Sequence, residues 1–108
     1  MASYFLVEQV AGPAWDPNRP RREQAGWAQH AAFMDRLVEE GFIVLGGPVG
    51  EDDGDYALLM VEADDLASVH VRMAPDPWDG TVLISRSIKP WQLWLRRPDM
   101  LPARPASS

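Results

Sequence analysis

Tyr4 to Val10 is rich in aromatic and β-branched side chains and alternates apolar with polar positions. That period of two predicts an opening strand. Gly12, Pro13, Pro17 and Pro20 then break any regular pattern and predict a loop. From about Glu23 to Glu40 the period becomes helical. Trp27, His30, Ala31, Met34, Leu37 and Val38 fall on one stripe, and Gln29, Arg36, Glu39 and Glu40 face the other way. Gly41 is placed to stop this helix, because glycine takes the left-handed conformation without penalty.

Phe42 to Leu45 is a continuous apolar run, expected to be a second strand buried on both faces and ended by Gly46-Gly47-Pro48. The acidic stretch Glu51 to Asp55 lacks calcium-loop ligand spacing and reads as a hairpin turn before a third strand, Tyr56 to Val61. Asp64 or Asp65 caps a second helix that runs to about Met73, with Leu66, Val69, His70 and Met73 on its inner stripe. Pro75 and Pro77 stop it. Val82 to Lys89 is a fourth strand.

The order βαββαβ predicts an α+β, ferredoxin-like domain: a four-stranded antiparallel sheet with two helices on one face. The other sheet face would then be too apolar to leave in water, which predicts a homodimer stacked sheet to sheet. The domain is expected over residues 1–97, followed by a flexible proline-rich tail over 98–108.

Composition narrows the function. The chain has 108 residues, enough for one core, and its 46% hydrophobic and 24% charged residues are those of an ordinary globular protein. A net charge of -6 argues against a nucleic-acid partner. Arg19, Arg21 and Arg22 read as a small solvated cluster. With no cysteine, thiolate catalysis, disulfides and cysteine-ligated zinc are excluded, and two histidines make a histidine-rich metal site an unpromising idea. The N-terminal residues lack the basic segment of a signal peptide, and no apolar run of about 18 residues exists. The expectation is a cytoplasmic protein with no membrane partner.

Two residues invite chemistry. His30 places a titratable imidazole inside an apolar stripe, either as a buried, hydrogen-bonded structural group or as a functional one. Asp76, held between two prolines, is either a turn aspartate or a carboxylate fixed to receive an imidazole N–H and select its tautomer. A His-Asp pair with no serine or cysteine beside it suits proton transfer rather than acyl transfer. Asp35 and His70 are competitors. Trp27, Phe33, Met34, Trp78 and Trp91 are candidates for an apolar pocket wall, with Gly46 and Gly47 opposite. Arg86 falls in phase with Ile84 and Ile88 and either faces solvent or meets a substrate anion.

Taken together, HAAFMDRLVEEGFIVLGGPVG, APDPW and IKPW resemble the YCII-related (YciI-like) family from Tyr4 to about Leu95. The resemblance implies a dimeric α+β barrel in which His30 and Asp76 match a catalytic dyad in a cleft. Gly47, Pro48 and Pro77 match the same pattern. Similar proteins include a dehydrochlorinase of chlorinated hydroquinones. The wider superfamily includes muconolactone isomerase and cofactor-free monooxygenases. The expectation is therefore a cofactor-free enzyme that moves a proton on an aromatic or unsaturated small molecule, by elimination or isomerisation. The expected catalytic residues are His30 and Asp76, and the expected pocket residues are Trp27, Met34, Gly46, Gly47, Pro48, Trp78 and Arg86. The alternatives are a non-catalytic dimeric binding or accessory protein and a cofactor-free monooxygenase. Pro75 departs from the family pattern, where a small residue usually precedes the aspartate.

Overall fold

The computed structural model describes residues 2–100. The elements are β1 (Ser3–Ala11), α1 (Trp27–Glu39), β2 (Ile43–Pro48), β3 (Ala57–Ala63), α2 (Leu66–Met73) and β4 (Leu83–Pro90). The sheet order is β2-β3-β1-β4, with every neighbouring pair antiparallel. This is the expected ferredoxin-like α+β fold, in which each helix returns the chain across one intervening strand.

The register fixes which side chains share a face. Phe5, Val7 and Gln9 of β1 pair with Val61, Leu59 and Ala57 of β3, and all six are buried. Phe33 and Leu37 of α1 and Val69 and Met73 of α2 join Phe5, Val7, Leu59 and Val61 in the main core. Both helices therefore cover the same sheet face. Leu6, Glu8, Leu58 and Met60 occupy the alternate positions and point to the open face.

Gly41, at φ 80°, ends α1 as expected. The start of α1 differs. Arg21–Glu23 form a separate 3-10 turn, and α1 begins only at Trp27, after Gly26 at φ 79°. The reason lies in two side chains. Gln24 is buried, donates from Nε2 to the carbonyls of Asp16 and Arg19, and accepts from the Asp16 N–H. Arg21 is also buried, not solvated as expected. It donates to the carbonyls of Gly54 and Asp55, which ties residues 21–24 to the loops rather than to the helix.

Three other expectations need correction. The apolar run at β2 is not buried on both faces: Phe42 and Ile43 are buried, but Leu45 is 40% exposed because β2 is an edge strand with an open outer face. Gly46-Gly47-Pro48 does not end the strand but continues it, paired with Leu59, Leu58 and Ala57. An edge strand tolerates proline. A side chain on Gly46 would lie 2.8 Å from the Leu58 carbonyl oxygen, so glycine here admits the neighbouring strand. In α2, capped by Asp65, Val69 and Met73 are buried while Leu66 and His70 are exposed. The expected flexible tail lies mostly outside the described residues, which stop at residue 100.

Candidate active site

His30 sits on the inner face of α1, one turn after Trp27 and one before Phe33. Asp76 lies just beyond α2, in a turn held by its own N–H donating to the Met73 carbonyl. The two elements meet so that His30 Nδ1 lies 2.9 and 3.0 Å from the Asp76 carboxylate oxygens. An ionised carboxylate only accepts, so Nδ1 carries the proton and donates. Asp76 Oδ1 also accepts from the Trp78 N–H at 2.9 Å, which locks the carboxylate in place. Both side chains are deeply buried, 4% and 1% exposed.

Trp78 stacks flat on the imidazole, with ring centroids 4.1 Å apart and planes 9° from parallel. Its indole N–H donates to the Ala25 carbonyl at 2.8 Å. Trp27 closes the third side, tilted 49° to both rings. The imidazole is thus fixed by a carboxylate, a stacked ring and a tilted one. Its Nε2 has no hydrogen-bond partner among the described residues. Ser85 Oγ is the fully buried side-chain polar atom left unpartnered among them, so Nε2 keeps a small contact with solvent.

The charge around the pair is acidic with one buried cation. Burial lowers the pKa of the Arg21 guanidinium, and the carboxylates of Asp55, Asp53 and Asp76 oppose that. Burial and then the neighbouring Asp76 carboxylate raise the Asp79 carboxyl. Among the described residues no three His, Asp or Glu side chains converge as a metal ion would require.

The structure brings His30, Asp76, Trp27 and Trp78 together. Gly46 and Pro48 face the helices from the edge strand, whereas Gly47, paired with Leu58, faces the open side. Met34 packs against the main core. Phe33 belongs to that core, and Trp91 is 38% exposed away from the pair. Asp35 and His70 are exposed.

Arg86 is not brought to His30. The register between β1 and β4 shifts between Glu8 and Gln9, leaving Arg86 as the extra residue of a bulge. The bulge puts Ile84 and Ile88 on opposite faces, so the expected phase does not exist. Arg86 lies on the open face and donates to Glu8 Oε1 at 2.8 Å, while the Tyr56 hydroxyl donates to Glu8 Oε2 at 2.6 Å. A shallow cleft of about 520 Å³ lies at the far end of the sheet, lined by Ala2, Phe42, Ala63, Asp64, Asp65 and Val71, and holds none of these residues.

Sequence reasoning missed Arg21, Gln9 and Ser85. Gln9 had a readable signal: a polar residue at an inward position in phase with Phe5 and Val7. Ser85 did not, because the bulge hides its phase.

A family model for the YCII-related domain matches residues 7–92. The chain belongs to the YCII-related domain family. The matched part of this YCII-related domain contains His30, Asp76, Trp27 and Trp78 and leaves residues 93–108 outside. Neither a curated protein nor a solved structure matches the chain. No helix among the described residues is long and apolar enough to cross a membrane.

Proposed function

We propose that this YCII-related domain is an acid–base enzyme in which His30 Nε2 takes or gives a proton and Asp76 positions the imidazole. The observation that carries the reading is the Nδ1–H donated to a locked, buried carboxylate while Nε2 stays free of protein partners. That arrangement presents one tautomer, with its acceptor nitrogen available. No hydroxyl nucleophile hydrogen-bonds to the ring among the described residues, so proton transfer is favoured over covalent catalysis. An aromatic or unsaturated small molecule suits the tryptophan walls. Elimination of the dehydrochlorinase kind and isomerisation of the muconolactone kind both begin with such a proton transfer.

The test is turnover of a panel of chlorinated hydroquinones and unsaturated lactones by the wild type and by His30→Ala. Loss of the acid–base group should lower the rate by about 10²–10⁴. A substrate turned over equally well by His30→Ala would remove the reading.

The deep burial of the pair supports a second reading, a binding or accessory protein in which His30 only braces Trp78. Titration of the imidazole by NMR separates the two. A ring that titrates and responds to ligand fits catalysis, and a ring frozen in one state fits bracing.

We also propose that two copies stack through their open sheet faces. Leu6 and Leu58 lie half-buried at the centre of that face, and Leu45 and Ile84 are 40% and 37% exposed at its sides.

A further inference from the structure

A band of polar side chains divides the core of this domain. On one side lies the main core, to which β1 gives Phe5 and Val7 and α1 gives Phe33 and Leu37. On the other lie Trp78, Val82 and Leu83, with Trp15 and Trp27 packed against them. On α1 the residue between Phe33 and Trp27 is His30. On β1 the inward residue between Val7 and Ala11 is Gln9, and Ala11 pairs with Leu83. Gln9 pairs with Ser85 on one side and Ala57 on the other, and Ala57 pairs with Pro48. The row Pro48, Ala57, Gln9, Ser85 therefore crosses the sheet between the two clusters, as His30 lies between them on α1.

Two members of that row are polar and lack a protein partner. Gln9 is 4% exposed and makes no side-chain hydrogen bond among the described residues, but its amide is not fully buried and keeps a small contact with solvent. Ser85 Oγ is fully buried and has no hydrogen-bond partner among them. Buried polar groups are normally paired, and a fully buried Ser85 hydroxyl left open next to Gln9, on the sheet face that the helices cover, points to a ligand.

We propose that Gln9 and Ser85 form the floor of the His30 site and donate hydrogen bonds to a substrate oxygen that gains negative charge as the proton leaves. This rests on His30 acting as the base. The substrate class is a small molecule whose carbonyl or phenolic oxygen is conjugated with an acidic C–H or O–H. The proton passes from that C–H or O–H to His30 Nε2, and the bonding pair stays on the substrate, delocalised onto the oxygen. His30 becomes an imidazolium that keeps its Nδ1–H on Asp76. The Gln9 amide and the Ser85 hydroxyl are placed to stabilise the resulting oxyanion.

The experiment measures binding of two probes, 4-nitrophenol and acetylacetone, by the absorbance of their anions, to the wild type, Gln9→Leu, Gln9→Glu and Ser85→Ala. Melting temperatures show that each variant is folded, and Ser85→Ala, which removes an unpaired hydroxyl, is the variant least able to harm the fold. The wild type should bind the anion of at least one probe. Ser85→Ala and Gln9→Leu should bind it about tenfold more weakly or worse, as loss of one hydrogen bond to a charged oxygen predicts. Gln9→Glu should repel it further. Equal affinity in the folded variants, or no binding of either probe to the wild type, overturns the proposal. The ¹⁵N resonances of His30, followed in the same titration, test the underlying reading separately. If they move while the variants bind normally, the base survives and the floor fails. If the variants weaken binding while the resonances stay still, the anion site stands apart from His30.

Discussion

Asp76 holds two donors at once, the His30 ring and the Trp78 backbone, and Oδ1 is 2.9 Å from each. Asparagine at this position would keep that oxygen and lose the charge. Alanine would lose both. Asp76→Ala should therefore destabilise the fold by roughly 1–3 kcal/mol, because it leaves a buried imidazole donor unpaired. Asp76→Asn should cost less than about 1 kcal/mol in urea unfolding. If Asp76 positions a catalytic imidazole, Asp76→Asn should still slow turnover at least about tenfold, since the imidazolium then faces a neutral amide. Equal stability losses in the two variants would mean that charge, not the shared oxygen, holds the turn. In the sequence the pairing was one of two open readings at each residue, since an imidazole on an apolar stripe can be structural and Asp76 between Pro75 and Pro77 can be a turn aspartate. The resemblance to the family, not the local pattern, favoured it. Arg21 was not legible. Nothing local separates it from Arg22, which is exposed and pairs with Asp53, because only the distant carbonyls of Gly54 and Asp55 draw Arg21 inward.

The pattern of apolar positions placed all six elements, by period at β1 and α1 and by a continuous apolar run at β2, whose one-sided burial it did not record. It failed where backbone geometry overrides the pattern. The helix was expected from about Glu23, but Gly26 in the left-handed region sets the true start of α1. An L-residue there costs about 1–2 kcal/mol, and a Cβ would also lie 3.2 Å from the Trp78 indole nitrogen. Gly26→Ala should lower Tm by about 5 °C or more in a thermal melt. An unchanged melt would mean that the start of α1 relaxes freely.

The bulge in β4 is the second such failure. It turns Arg86 toward Glu8 and joins β4, β1 and the Tyr56 segment on the open face. The Arg86 guanidinium first and the Tyr56 hydroxyl second hold the Glu8 carboxyl down to about 2 from the ordinary 4.5. A carboxyl depressed in the folded state stabilises above its unfolded pKa, and that stability is lost as pH falls from about 4.5 towards 2. Glu8→Gln should therefore flatten the decline of stability in that window, measured by denaturant unfolding across the acid range. A decline as steep as that of the wild type would exclude Glu8 as a contributor.

At the scale of the whole molecule the two sheet faces are unequal. One carries both helices, and the other offers Leu6, Leu58, Leu45 and Ile84 around the Glu8–Arg86 pair. Stacking two such faces about a two-fold axis would bury the apolar rim and bring two copies of the polar group towards each other. Light scattering of the wild type at micromolar concentration should give twice the chain mass. Leu58→Asp puts a charge beside Glu8 at the centre of the face and repels its own copy across the axis. It should run at the monomer mass with an unchanged circular dichroism spectrum. A wild-type monomer would remove the stacking reading altogether. Trp94 and Leu95, 84% and 94% exposed beyond β4, offer a competing route to association. Trp94→Ala distinguishes the two: if it dissociates the dimer while Leu58→Asp does not, the copies are joined through the segment after β4 rather than through the sheet.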